Sequence, residues 1–195
     1  MGEAEPELLR RWAAGDRAAL EALYRRYVER VWRYAWLRTR SRHMAEEIVQ
    51  ETFLRVARAA GQFGGRSAFG TWLFAVTRSV TIDQIRRARR EAEGIEPGRV
   101  IRLMPPTESG EDEATRQAVR DAVAELPGAQ RDVTVLCEVS GLSIREAGEV
   151  LGWGESRVKV TLFRARRRLR DMLRDRLGIR TPAAKAGAGG CSDAE

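Results

Sequence analysis

A chain of 195 residues has room for one large domain or two small ones, and its formal charge of +7, from 35 Lys and Arg against 28 Asp and Glu, points to a polyanionic partner such as nucleic acid. One histidine, His43, and two cysteines, Cys137 and Cys191, leave little for a His-based triad, a metal site or a disulfide framework, so no catalytic residue, metal or cofactor is expected. No apolar run is long enough to span a membrane and no secretory signal precedes the first helical segment, so the expected compartment is the cytoplasm, without membrane insertion.

Runs of β-branched residues alternating with period two are scarce, and helical periodicity recurs instead, so an all-α fold without a sheet is expected. Leu20, Leu23, Tyr24, Tyr27, Val28, Val31, Tyr34 and Ala35 make one long apolar face, interleaved with Arg25, Arg26, Arg30 and Arg33. A second helix is predicted over Met44 to Ala60, with Ile48, Val49, Phe53, Val56 and Ala57 inward. The glycines of Gly61-Gln62-Phe63-Gly64-Gly65-Arg66 break it. Ser67 is then placed to cap a helix reaching Arg90, with Phe69, Trp72, Leu73, Val76 and Val80 on one side. Phe74 and Ile85 face the other way, so this helix packs, or touches DNA, on two sides. Periodicity dissolves between Glu91 and Asp112, where Gly94, Pro97, Gly98, Pro105, Pro106 and Gly110 accumulate. Helices resume near Glu113 and continue to Leu177, and the Ala- and Gly-rich tail from Thr181 is expected to be disordered. The expected organisation is a helical domain over 1–91, a flexible linker over 92–112, a second helical domain over 113–178 and a tail over 179–195.

The second half carries the sharper pattern. Ser143 with Glu146 three residues on is a capping box that starts a helix, and Ile144, Ala147, Gly148 and Leu151 share one face of it. Gly152 stops that helix, Trp153 reads as an anchor, and Gly154 stands at the N-cap of the next. Gly148 inside a helix costs roughly 1 kcal/mol against Ala if Ala fits equally well. In the second helix Val158, Leu162, Ala165, Leu169 and Leu173 form the core stripe. The opposite face carries Ser156, Lys159, Val160, Phe163, Arg164 and Arg167. Two short helices about a tight turn, the second loaded with arginine, form the pattern of a helix-turn-helix DNA reader. Arg and Lys bind guanine edges or phosphates, and Val160 and Phe163 suit thymine methyls. A solvated charged face with two stray apolar residues is the plainer alternative.

The stretch AEEIVQETFLRVAR (residues 45–58), followed by SAFGTWLFAVTRSVTIDQIRRARR (67–90), resembles the second region of bacterial RNA polymerase sigma factors, and Leu126–Leu173 is similar to their fourth. The lack of a third region and the short linker place the resemblance with the extracytoplasmic-function subfamily, over roughly Asp16 to Leu173. The resemblance implies that Glu46, Glu47, Gln50 and Glu51 dock on core polymerase, whose β and β′ subunits would be the partners. It implies that Phe63, Arg66, Arg78, Ser79, Arg86 and Arg87 meet the −10 element, the Phe63–Arg66 loop capturing an unstacked base. It assigns Ser156, Arg157, Lys159, Val160, Phe163, Arg164 and Arg167 to the −35 element, and it implies control by an anti-sigma factor. A solvated acidic face, a solvated run at Arg86–Arg90, and Phe63 as a core plug above an ordinary Gly64-Gly65 turn are the structural alternatives.

The chain departs from the family pattern in several places. Ser79 stands where Asn is common, Val160 and Thr161 replace Ser and Arg, Gly154 replaces a capping Ser, and Gly148 replaces a helical Ala. These changes bear on the preferred promoter sequence. Three other functions compete. A stand-alone repressor or activator would need a ligand or dimer domain, and a nucleic-acid enzyme would need Glu46, Glu47 and Glu51 to hold a metal. A protein-binding adaptor would make no use of Arg164.

Overall fold

The computed structural model describes residues 4–60, 63–65, 67–93 and 111–177, and every regular element among them is helical. These are α1 (Glu5–Ala13), α2 (Arg17–Thr39), α3 (Arg42–Arg58), α4 (Phe69–Glu93), α5 (Glu111–Glu125), α6 (Gly128–Thr134), a π-helical turn (Val135–Val139), α7 (Ile144–Leu151) and α8 (Glu155–Leu177). Arg66, the expected linker between 94 and 110, and the tail from 178 onward lie outside the described residues.

Helix α1 is only nine residues long, with Leu8 and Trp12 one turn apart on its inner face. Local chemistry accounts for it: proline in the first turn, Glu5 and Glu7 at the positive end of the helix dipole, Arg10 and Arg11 at the negative end. Leu8 and Trp12 are buried. The Tyr27 hydroxyl donates to Glu5 at 2.7 Å and ties α1 to α2. Asp16 caps α2 by accepting from the Ala18 N–H at 2.8 Å and the Ala19 N–H at 3.4 Å. The Arg11 guanidinium donates to the same carboxylate, which together with the two N–H groups holds it below its usual range. The Ser41 hydroxyl accepts from Met44 N–H at the start of α3. Leu23, Val31 and Tyr34 of α2, Ile48 and Val56 of α3, and Phe69, Leu73, Phe74 and Val80 of α4 fill the core between these helices. Two expected core positions differ: Ala57 is exposed, and Tyr24 is exposed on one side while its ring meets the Phe53 edge at 4.7 Å.

In the C-terminal half, the Ser140 N–H bonds back to the Val135 carbonyl at 2.9 Å, the five-residue spacing that defines the π turn. The capping box of α7 is complete. Ser143 Oγ accepts from Glu146 N–H at 3.2 Å, and the Glu146 carboxylate accepts from Ser143 N–H at 2.8 Å. Gly152 ends α7 with φ of +67°, the left-handed conformation that glycine adopts without strain. Val158, Leu162 and Ala165 of α8 are buried, with Leu169 and Leu173 partly so.

A Cβ at Gly148 would stand 2.7 Å from the Trp153 carbonyl oxygen, a backbone atom that cannot swing aside. Alanine does not fit equally well, so the propensity cost is the condition for this tight turn.

The two halves do not stand apart. One hydrophobic cluster runs from Leu8 to Leu162, with α7 packed on α4, and with the π turn and α5 packed on α2. Polar contacts stitch the same junction. Thr71 Oγ1 donates to Glu146 Oε1 at 3.2 Å, Arg30 donates to the Ser140 carbonyl, and Arg40 pairs with Asp121. Arg38 pairs with Asp132 at 2.7 Å.

Gly148→Ala is expected to destabilise by about 1–3 kcal/mol through overpacking, where the propensity scale alone would stabilise it. Urea melts of the two proteins decide the sign. Ser143 and its N–H hold the Glu146 carboxyl below its ordinary value of 4.5. The stability this contributes is full above 4.5 and fades as pH falls through the lowered value. Glu146→Gln should therefore lose stability at neutral pH and show a shallower acid-side decline, read from the same melts repeated across pH.

Candidate nucleic-acid interface

Helix α8 is mounted by its buried stripe and presents the opposite face to solvent. Ser156, Arg157, Lys159, Val160, Phe163, Arg164 and Arg167 are all exposed. Phe163 is 69% exposed and Val160 49%, although a folded chain gains nothing from leaving them in water. The Arg157 guanidinium lies 4.0 Å over the half-buried Trp153 ring, so Trp153 fixes the guanidinium at the start of the helix. On another side of α8, Arg166 pairs with Glu138 of the π turn, which steadies the helix without using the reading face. Packing of the two halves leaves the Arg164 side open. Guanidinium groups interleaved with small apolar surface on one open helix face can meet phosphates, guanine edges and thymine methyls.

The Phe63 loop is anchored more than it is free. The half-buried Phe63 ring lies 5.2 Å from Trp72, 5.7 Å from Phe69 and 6.0 Å from Trp12, centroid to centroid. Of the two readings of Phe63, this environment favours the plug. Among the described residues of the loop, Gly64 and Gly65 are exposed, the latter at φ of +64°. Trp12, missed by the sequence reading, completes this aromatic cluster from α1. The signal available for it was the i, i+4 pair of Leu8 and Trp12.

Along α4, Ser79, Asp83, Arg86 and Arg90 fall at spacings of four, three and four and are all exposed. Arg87 is also exposed and pairs with Glu91 at 2.8 Å, which raises its pKa. Arg78 lies elsewhere: it is half-buried, near enough to Asp132 of α6 for the two charges to interact, its Nε buried without a hydrogen-bond partner.

The acidic face of α3 is partly engaged by its own helix. Glu46 pairs with Arg42 at 2.8 Å, Glu51 with Arg55 at 2.7 Å, and Glu47 lies 3.4 Å from His43. Glu46 and Gln50 are exposed, while Glu47 and Glu51 are half-exposed. Exposed i, i+4 pairs are worth only about 0.3–0.5 kcal/mol, so a basic partner can displace them at little cost. Among the described residues no group of three His, Cys, Asp or Glu side chains is placed to hold a metal ion, and no helix is long and apolar enough to cross a membrane. Cys137 is half-buried on the π turn, its thiol pushed up by burial to about 11, far from a reactive thiolate.

Two family models match the chain: Sigma-70 region 2 over residues 23–91 and Sigma-70 region 4 over residues 116–169. The ECF RNA polymerase sigma factor BldN of Streptomyces coelicolor is 33% identical over 175 residues, covering 87% of this chain and 66% of that protein. The match thus spans just under two thirds of the BldN length. The ECF RNA polymerase sigma factor SigM of Mycobacterium tuberculosis is 32% identical over 169 residues, covering 87% of this chain and 84% of that protein. The solved structure of the sigma factor RpoE in complex with the anti-sigma factor NepR from Bartonella quintana shares the fold. Its TM-score is 0.66 at 24% identity, over 79% of this chain and 96% of that one.

The exposure of Val160 and Phe163 predicts that Val160→Ser and Phe163→Ser change the unfolding free energy by no more than about 0.5 kcal/mol. Chemical denaturation monitored by circular dichroism checks this. A larger loss would assign the two side chains to packing.

Proposed function

The chain belongs to the extracytoplasmic-function RNA polymerase sigma factors, and we propose that it binds core RNA polymerase, directs it to specific promoters and helps melt the −10 element. The observation that carries this reading is the coexistence, in one helical chain, of an exposed Arg-rich helix-turn-helix face and a separate acidic helix face. In this reading Glu46, Glu47, Gln50 and Glu51 dock on the β and β′ subunits, where opposite charge supplies steering and register. Ser156, Arg157, Lys159, Val160, Phe163, Arg164 and Arg167 hold the −35 element.

Ser79, Arg86 and Arg87 line the −10 strand together with Arg66 and Arg78, and the Gly64-Gly65 backbone approaches the captured base while Phe63 seats the loop. Holding a base out of the stack offsets a few kcal/mol of stacking and pairing. The domains are taken as 1–91 and 113–178, with 92–112 the linker and 179–195 a tail. The chain works in the cytoplasm, without a cofactor and without chemistry of its own, because the polymerase makes the bonds. Control by an anti-sigma factor follows from the resemblance and agrees with the partner in the NepR complex.

Purified core polymerase supplemented with this chain should initiate at a defined promoter, with uniform transcript 5′ ends. Arg164→Ala should weaken promoter use roughly 10- to 100-fold, the range of about 1–3 kcal/mol for one base contact, with binding to core unchanged. Failure to bind core would overturn the proposal. Specific operator binding by the free chain, with no polymerase present, would favour a stand-alone regulator.

A further inference from the structure

Where the two halves meet, one carboxylate faces several guanidinium groups. Asp132 of α6 lies 2.7 Å from Arg38 of α2, and each side chain is 15% exposed. Arg78 of α4 and Arg131 of α6 bear on the same carboxylate, and the buried Tyr34 feels the charges of Asp132, Arg38 and Arg78 together. The Arg38–Asp132 pair has the distance of an ion pair without the alignment of a hydrogen bond. Asp132 Oδ1, Arg38 Nε and Arg78 Nε are all buried with no hydrogen-bond partner. A buried pair so arranged recovers little of its desolvation cost, and burial pushes the Asp132 carboxyl above its usual range despite Arg38.

The two arginines belong to the N-terminal half and their counter-charge to the other. Among the described residues no carboxylate of α1–α4 pairs with Arg38 or Arg78. Beside Arg38 opens a cleft of about 520 Å³, also lined by Arg89 of α4 and Arg131 of α6. The lining of that cleft carries three guanidinium groups and no carboxylate. A carboxylate and a phosphodiester present the same recognition chemistry, a single negative charge on two acceptor oxygens matched by the guanidinium fork.

We propose that Arg38 and Arg78 form a phosphodiester-binding site on the N-terminal half, and that Asp132 fills it in the closed chain as a carboxylate surrogate for a nucleic-acid backbone phosphate. This rests on α4 being a DNA-contacting helix, and it adds Arg38 to that surface. Asp132 and the phosphate compete for one site, so strand binding and separation of the two halves are coupled, each favouring the other.

The test uses the full chain, a fluorescent single-stranded oligonucleotide of mixed sequence, and small-angle scattering. Asp132→Asn keeps the side-chain shape and removes the charge. It should enlarge the radius of gyration and raise oligonucleotide affinity about tenfold, within the usual range of coupling between sites. The salt dependence should steepen, by about 0.7 in log–log slope for each phosphate gained. Arg38→Gln should also expand the chain, since it breaks the same pair, but should bring no gain in affinity. The double variant Arg38→Gln/Asp132→Asn should lose the gain of Asp132→Asn.

A compact Asp132→Asn chain with unchanged affinity overturns the proposal, and so does a double variant that keeps the gain. Should Asp132→Asn fail to fold by circular dichroism, the wild-type chain decides. Saturating oligonucleotide must expand it, and a chain that binds while staying compact refutes the surrogate. Promoter-directed initiation with core polymerase is scored separately. Its failure would remove the sigma-factor reading while leaving the oligonucleotide result standing.

Discussion

Helix α4 is buried on two sides, and the rest of the molecule is arranged around that fact. Phe69, Leu73 and Val80 contribute to the core with α2 and α3. Phe74 meets Tyr34 of α2 edge-on at 5.9 Å, and Thr71 reaches Glu146 of α7. A helix clamped in this way cannot tilt toward one partner without disturbing the other. What remains open is the stripe of Ser79, Asp83, Arg86 and Arg90 together with Arg87, so the geometry of the strand-facing surface is set by packing on the faces behind it.

The second clamp on α4 differs in character from the first. The α2–α3–α4 contact is mainly apolar, and its buried Thr77 and Thr81 hydroxyls donate to carbonyls of their own helix. The junction with the C-terminal half mixes buried Ala147, Val150 and Val133 with the Thr71–Glu146 bond, the Arg30–Ser140 bond and the Arg38–Asp132 pair. Polar seams of this kind resemble interfaces between domains that separate and rejoin, because each polar group finds an equivalent partner in water. Arg30 shows the principle in one side chain. Its guanidinium lies 5.2 Å from the Tyr27 ring centroid and 5.5 Å from that of Phe74, and it also donates across the junction to the Ser140 carbonyl. Loss of the crossing bond would leave the two ring contacts intact.

Local spacing was legible in the sequence, and long-range placement was not. The capping box of Ser143 and Glu146, the stop at Gly152, and the apolar stripe and open arginine face of α8 all follow from contacts three or four residues apart. The double-sided packing of α4 was legible too, because Phe74 stood off the main stripe. Arg30 reaching Ser140 spans 110 positions and has no periodic signature. Arg30 therefore read as one more solvated arginine between apolar residues. Arg78 and Asp132 were hidden for the same reason: a charge that will be buried against a distant charge looks, in sequence, like a charge on a surface. What the sequence does not show is that the two helical domains pack on each other there. Phe63 carried two readings because an aromatic beside glycines suits a base platform and a plug equally. Trp12 from a short helix distant in sequence tips it toward the plug.

Gly148, Trp153 and Arg157 form one causal line from sequence to reading face. The missing Cβ at Gly148 lets the Trp153 carbonyl approach α7, and the Trp153 N–H bonds back to the Gly148 carbonyl at 2.9 Å. The indole, fixed by its own backbone, carries the Arg157 guanidinium on its face. Gly154 then opens α8, its carbonyl accepting from Arg157 and Val158 N–H groups. A side chain at Gly148 would push Trp153 outward and shift Arg157 with it. The residue that looks most like a helix defect therefore sets where the first cation of the reading face stands.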